Sequence, residues 1–553
     1  VYTAFWIEHH LWGDSTLGYH LINVFQHAAA ACMLALVLRR FRSTAPAIRA
    51  AGSERTPQPI IPTGAEWFAA VLFTVHPICV ESVAWICEQK NTLSLLFTLG
   101  ATYVWMGYVS SRRLAAWVSA TLLFALALGT KTATVILPPA LLVLLWWRYG
   151  RIGWKKDVVP LLPWFGLAVA AGLVTAWAER DLLGAQGEGY ELSLMERVLL
   201  AGRIVWFYLG SQLWPMGQSF FNELWNVPAE SSGWVGWLAA SVGLTLVLWL
   251  LRQRSRGPLA LWLLFVGCLF PVLGFFNVFF FAFSYVADHF QYIATLCFVS
   301  GAAIGATLLT RRMPVALRRV STTAGGLLIL VFALLSRDLS RNYQNNETLA
   351  RASIARTPDN WMAHRILAWT LSKDTTRQEE AVRHYEKSLE LNPRSPDSLH
   401  GLALLLARTD VRRSEAIELY EQAIALRPHF AEAHYALALE IKQDPARRDE
   451  VIDHLETALK TKPLFSPAHL ELAHILARIP DRLPEAFFHY REALRSTPDY
   501  AEAHFGLANI LAPAEATRAE AIRHYEEALR LEPGAAPVHY GLATALAATP
   551  NRM

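Results

Sequence analysis

Up to about residue 336 the chain is a succession of long apolar runs divided by short charged breaks; beyond about residue 350 apolar residues recur singly and in short groups among polar ones. Ten runs stand out, at about 18–38, 65–80, 91–110, 114–129, 132–147, 158–178, 234–251, 258–281, 289–309 and 320–336. As helices rising about 1.5 Å per residue, runs of this length span a hydrocarbon layer of about 30 Å. The pattern predicts an all-α chain: a polytopic membrane domain over 1–336, a linker over 337–357 and a repeat domain over 358–553. A soluble enzyme, a disordered protein and a disulfide scaffold are excluded.

Charge orients the predicted crossings. With Val1 outside the cytoplasm, the inner loops carry Arg39, Arg40, Arg42, Arg49 and Arg55, then Arg112 and Arg113, then Arg148, Arg151, Lys155 and Lys156. Arg252, Arg254 and Arg256 follow, and finally Arg311, Arg312, Arg318 and Arg319. That is 18 of the 23 basic residues before Ser336, the asymmetry of the positive-inside rule. Residues 197–216, counted as a crossing, would export the Arg252 cluster, so they are expected as a helix at the outer face. An even number of crossings places the C-terminal half outside the cytoplasm. The chain begins at Val1 within a loop running to Gly18, and its N-terminus is read as cut. Arginine exceeds lysine by 41 to 9, which points to a GC-rich bacterial genome, an inner membrane and repeats in the periplasm.

In the second half, prolines recur at Pro358, Pro393, Pro428, Pro463, Pro498 and Pro533, each 35 residues from the last. An alanine follows each by ten residues, from Ala368 to Ala543, and Ala381, Ala416, Val451, Ala486 and Ala521 mark a second register. These are the marks of tetratricopeptide repeats (TPR): small residues let paired antiparallel helices approach closely, and stacked pairs form a solenoid with a concave binding surface. The sixth repeat stops after its first helix, as a cap or at a cut end. His364, His434, His469, His504 and His539 form a row at one register, too widely spaced for one metal ion, and are read as packing or peptide-contacting residues.

Five cations remain outside: Lys90, Lys131, Arg180, Arg197 and Arg203. Lys90 opens one crossing and Lys131 lies in the short turn between two others, where anionic lipid headgroups lie; ionisable groups at this level commonly mark a substrate path. The plainer reading is that each pairs with a nearby acid, Glu81 or Glu88. His76 and Pro77 end a crossing, and Glu81 follows on a short surface helix, either as an acid or base or as the partner of Lys90. Asp288, beside His289, opens another crossing as a helix cap or a substrate contact. Cys79 and Cys87 can pair if their loop faces an oxidising compartment. No CxxC is present, and neither a metal, a resident cofactor nor a nucleic-acid partner is expected.

Three segments in order, HPICVESVAWICEQKNTLSLLFTLGATYVW from His76, LGTKTATVILPPALLVLLWW from Leu128 and VADHFQYIA from Val286, precede the repeats. In this arrangement the chain resembles the transmembrane and tetratricopeptide repeat-containing O-mannosyltransferase-like proteins, membrane glycosyltransferases of the GT-C class. The resemblance implies transfer of a sugar, mannose, from a polyprenyl-phosphate donor to an extracytoplasmic protein acceptor held by the repeats. It implies that Lys90 and Lys131 contact the donor phosphate while His76, Glu81, Asp288 and His289 line the same pocket. Relatives carry arginine where this chain has His289, and the acidic pair that would supply the catalytic base falls upstream of Val1. The rival expectation is a non-catalytic membrane anchor displaying a protein-binding solenoid.

Overall fold

The computed structural model describes residues 2–43, 61–182, 184–185, 190–227 and 232–549, and these are α-helical with no strand. Val1, Arg49, Arg55 and Met553 lie outside them. The chain divides into two compact units, Val1–Ala363 and His364–Met553.

The first unit contains α1 (Tyr2–Trp12), α2 (Thr16–Ser43), α3 (Ala65–Val75), α4 (Val80–Ala84), α5 (Gln89–Ser111), α6 (Leu114–Thr130) and α7 (Leu137–Tyr149). It continues with α8 (Leu162–Trp177), α9 (Leu194–Leu213), α10 (Ser232–Leu251), α11 (Gly257–Leu269), α12 (Tyr292–Arg312), α13 (Val315–Ser340) and α14 (Asn346–Arg356). A helix stands at each of the ten expected crossings. Among the described residues, seven helical stretches are long and apolar enough to cross a membrane, or eight if the bent α3–α4 pair is one span; α6 and α11 are apolar but shorter.

Several boundaries differ from expectation. The first residues, read as a loop to Gly18, are helix α1 and a tight turn at Gly13, where φ is +55°. The run expected to continue to 281 stops at Leu269: Pro271 removes a backbone donor, Gly274 takes φ +92°, and short 3-10 turns carry the chain to Phe290. Residues 337–357, expected as a linker, are mostly helical, since α13 runs on to Ser340 and α14 follows after one turn. Cys79 is buried and Cys87 exposed, and both are free thiols, so the bridge considered for them is not formed. α9 is a full helix with one buried face, and it is not among the stretches apolar enough to cross.

Alanine, leucine and aromatic side chains of α2, α3, α5, α9, α11 and α12 form the core, Ala30, Leu34, Phe73, Leu95, Leu200, Leu269 and Tyr292 among them. Polar groups inside it pair across helices in several places, as burial favours. Thr92 Oγ1 on α5 meets Asn23 Oδ1 and Gln26 Oε1 on α2 at 2.9 and 2.8 Å, and His27 Nδ1 meets the Tyr292 hydroxyl at 2.7 Å. By contrast the spans Gly233–Leu251 and Val315–Tyr343 bury only 6% of their apolar stretch. Such faces suit contact with hydrocarbon rather than water.

The second unit repeats one design. First helices α15 (Trp361–Leu371), α17 (Pro396–Leu406), α19 (Ala431–Ile441), α21 (Ser466–Leu476), α23 (Ala501–Leu511) and α25 (Ala536–Ala547) alternate with second helices α16 (Gln378–Leu391), α18 (Arg413–Leu426), α20 (Arg448–Thr461), α22 (Leu483–Ser496) and α24 (Arg518–Leu531). Ala381, Ala416, Ala486 and Ala521 are fully buried where the paired helices meet. A Cβ on Gly401 would come within 2.4 Å of the Tyr385 ring, and one on Gly506 within 2.3 Å of Tyr490, so glycine is the hole into which the preceding tyrosine fits.

The histidine row is explained by packing within repeats. His434 pairs through Nδ1 with His454 Nδ1 at 2.9 Å, His469 with His489 at 2.9 Å, and His504 with His524 at 2.8 Å; His364 and His384 do the same at 2.8 Å. Nε2 of His434, His469 and His504 lies 3.0 Å from a proline carbonyl, which can only accept, so this nitrogen carries the proton. The Nδ1 of the same neutral ring must then accept from its partner. A second proton on that ring would set N–H against N–H. In the second repeat Leu399 and Leu419 occupy these registers.

Two outcomes follow from this packing. Gly401→Ala should lower the stability of the repeat unit by about 1–3 kcal/mol through overpacking, while Gly534→Ala, with nothing within 4 Å of its Cβ, should not; denaturant melts of the two variants compare them. Burial pulls His434, His454 and His524 below their ordinary value, and His489 down to about 4. A histidine whose folded pKa is depressed favours folding fully above its unfolded value of about 6.5, and that contribution is lost as pH falls toward about 4. The thermal midpoint should therefore drop over that window, and the His434→Leu/His454→Leu double variant, which copies the second repeat, should drop less.

Candidate functional site

Pro77 sets the site's geometry. The residue before a proline avoids the helical region, and His76 is extended at φ −69°, ψ 125°, which ends α3. The chain turns through Pro77–Cys79 into α4 at a 54° bend, and a second turn, Ile86–Glu88, leads into α5. These two turns present Glu81, Ser82, Glu88, Lys90 and Asn91 from one short stretch. Lys131, extended between α6 and the 3-10 turn Thr132–Ile136, enters from the side.

Glu88 is the centre. Its carboxylate, 1% exposed, takes the Lys90 ammonium at 2.8 Å on one oxygen and the Lys131 ammonium at 3.5 Å on the other. Asn91 Nδ2 donates to Glu88 Oε2 at 2.7 Å and its Oδ1 accepts from Lys131. Two cations on one anion leave an excess of positive charge in this triad. Burial pulls the Lys131 ammonium below its ordinary value, and the Glu88 charge resists the shift. The Lys90 side chain is 40% exposed and Lys131 18%, so Lys90 is the more accessible of the pair.

A second pair lies alongside. Glu81 Oε1 is 2.6 Å from His289 Nδ1, and the His289 backbone N–H donates to Glu81 Oε2 at 3.2 Å. Glu81 thus holds His289 and not Lys90, the role expected of it from the sequence; the acid that holds the lysines is Glu88. Asn91 bridges the two pairs through the His289 carbonyl at 3.3 Å and Ser82 Oγ at 2.9 Å. Trp85, Phe280 and Phe290 surround the imidazole edge-on.

Asp288 opens a three-residue 3-10 turn rather than capping α12, which begins after Gln291 without a side-chain cap. Its carboxylate accepts from Gln291 Nε2 at 3.1 Å. Burial, joined by the negative charge of Glu81, pushes the Asp288 carboxyl well above the usual carboxylate range. A shift in this direction favours the protonated carboxyl.

His76 is not brought into this cluster. Its Nδ1 accepts from the Ile78 N–H at 3.4 Å, its ring packs on Phe332, and it lines a separate cavity. Sequence reasoning did not single out Asn91 or Ser82; their positions one residue after Lys90 and one after Glu81 were the available signal. Of the arginines expected outside, Arg197 is spent on structure, binding the Gly274 carbonyl at 2.6 Å and Asn277 Oδ1 at 2.9 Å. Arg203 lies over the rings of Trp225 and Trp234. Among the described residues no three His, Cys, Asp or Glu side chains are grouped to hold a metal ion.

No family model matches the sequence, and no curated protein does. Several solved tetratricopeptide structures resemble part of the chain. One is YrrB, a TPR protein with an unusual peptide-binding site: 18% identity, TM-score 0.29, covering 34% of this chain and 96% of that one. A thermophilic TPR protein of Thermus thermophilus has 22% identity and TM-score 0.26 over 34% of this chain and 99% of its own. MamA of Desulfovibrio magneticus has 18% identity and TM-score 0.26 over 31% and 97%. The helix lengths and exact-period packing of the second unit carry the TPR assignment on their own.

Removing the central acid tests the site's electrostatics. Glu88→Ala strands Lys131 in a buried position and should cost about 3 kcal/mol of stability, whereas Lys90→Ala, which leaves the Glu88–Lys131 pair intact, should cost less than about 1 kcal/mol. Equal losses in denaturant melts would remove Glu88 from the centre.

Proposed function

We propose that the first unit is a membrane glycosyltransferase, moving mannose from a polyprenyl-phosphate donor to a protein acceptor outside the cytoplasm, and that the repeats bind that polypeptide. The setting is a bacterial inner membrane with the repeats in the periplasm. The supporting observation is the convergence of Lys90 and Lys131 on one buried carboxylate beside apolar helices, which leaves positive charge for a lipid-borne phosphate. When an acceptor hydroxyl attacks the anomeric carbon, the bond from that carbon to the phosphate oxygen breaks and its electron pair stays on the phosphate. Fixed ammonium groups stabilise the charge that develops there. The acceptor proton passes to a carboxylate base. The Glu81–His289 pair keeps Asn91 in place between the two clusters.

A second reading is a non-catalytic anchor that displays the repeats to envelope proteins. The close pairing of both lysines with Glu88 favours it, because each is already partnered without a ligand. Purified full-length protein supplied with labelled polyprenyl-phosphate mannose separates the two. Transfer to protein that falls at least about tenfold, or about 1.4 kcal/mol of barrier, in both Lys90→Ala and Lys131→Ala supports the enzyme. Polypeptide binding without transfer supports the anchor.

A further inference from the structure

A cavity of about 460 Å³ lies in the first unit between α2, the α3–α4 bend and the end of α13, apart from the lysine cluster. Its apolar wall includes Val24, Val80 and Val83, and its polar lining includes His20, His76, Arg337, Ser340, Tyr343 and Gln344. No aspartate or glutamate lines it. Arg337 has no carboxylate partner among the described residues; the neighbouring Asp338 is taken by Arg341 at 3.4 Å. His76, 1% exposed, stands at the cavity wall.

The position of this cation is informative. Arg337 stands on the last turns of an apolar span, Val315–Tyr343, whose other end carries Arg318 and Arg319. It is therefore at the opposite membrane interface, against the usual distribution of positive charge. An arginine with amide, imidazole and hydroxyl groups and several valines in one lining matches a ligand that joins a phosphate to a hydrocarbon chain. The volume suits a headgroup with the start of its chain, within the range of small-ligand cavities of about 300–1,000 Å³.

We propose that this cavity binds the phosphate headgroup of a membrane lipid, with Arg337 as its charge partner. The site is independent of sugar transfer and of Lys90 and Lys131. Phospholipid and polyprenyl phosphate present the same chemistry, and the experiment separates them. Full-length protein in neutral detergent is titrated with phosphatidylglycerol, undecaprenyl phosphate, diacylglycerol or inorganic phosphate, and bound lipid is counted by native mass spectrometry. The background is the Lys90→Ala/Lys131→Ala double variant, so that binding at those lysines does not contribute.

The expected result is one bound phospholipid or polyprenyl phosphate, weakened at least about tenfold by Arg337→Ala and unchanged by Arg341→Ala. Val83→Trp, which fills the cavity from its apolar side, should also displace the lipid. Retention of either phosphate lipid supports the proposal: equal binding marks a site that reads the headgroup alone, and preference for undecaprenyl phosphate marks one that also selects the polyprenyl chain. Diacylglycerol binding as tightly as the phosphate lipids, or full retention in both Arg337→Ala and Val83→Trp, overturns it.

Discussion

A carboxylate removed from water must find positive charge, and the junction of α4, α5 and the turn after α6 is organised by that requirement at Glu88. With an exposure of 1%, Glu88 is held as an anion chiefly by Lys131, just past α6, with Lys90 at the start of α5 adding to it. Asn91 then serves both the carboxylate and Lys131 while tying the group to Ser82 and the His289 carbonyl. The bend at His76 and Pro77 exists in the service of this geometry: a straight continuation of α3 would carry Glu81 away from His289. One charged group thereby fixes the mutual position of α4, α5 and the segment before α12.

The remainder of the first unit fits a different rule, that of a solvent offering backbone groups no hydrogen bonds. The candidate span Val315–Tyr343 keeps apolar side chains outward, and polar residues such as Thr92, Asn23 and Gln26 turn inward to one another. The second unit shows the opposite arrangement. Its helices bury one stripe and cover the rest with charge, including a recurrent arginine–glutamate contact at Arg377–Glu380, Arg412–Glu415, Arg447–Glu450 and Arg482–Glu485. Exposed pairs of this kind add little stability each.

Most of this architecture was legible in the order of residues because it rests on periodicity. Apolar run length predicts helices at all ten positions, and the 35-residue spacing of proline and alanine predicts the paired helices of the repeats. The errors fall where local chemistry outweighs pattern. Pro271 and Gly274 stop α11 inside a run that hydropathy alone would extend. In the site, pairing was the unreadable part: Glu81 and Glu88 are both within reach of Lys90 in one dimension, and only the turn at Ile86–Glu88 decides between them. His76 groups with the lysines by proximity in sequence, yet the bend at Pro77 directs its ring toward Phe332 and another cavity. The histidine pairs escaped notice because His434 and His454 are 20 residues apart, a spacing that acquires meaning only when two helices fold back on each other.

The constancy of the repeats has an evolutionary corollary. First helices α15, α17, α19, α21 and α23 each span 11 residues and second helices 14, at a step of 35, so each repeat meets its neighbours in the same way. Duplication or loss of one whole unit preserves every junction, whereas a gain of a single codon between prolines disturbs two of them. Array length is thus free to drift among descendants in whole modules, while the spacing inside a module is not.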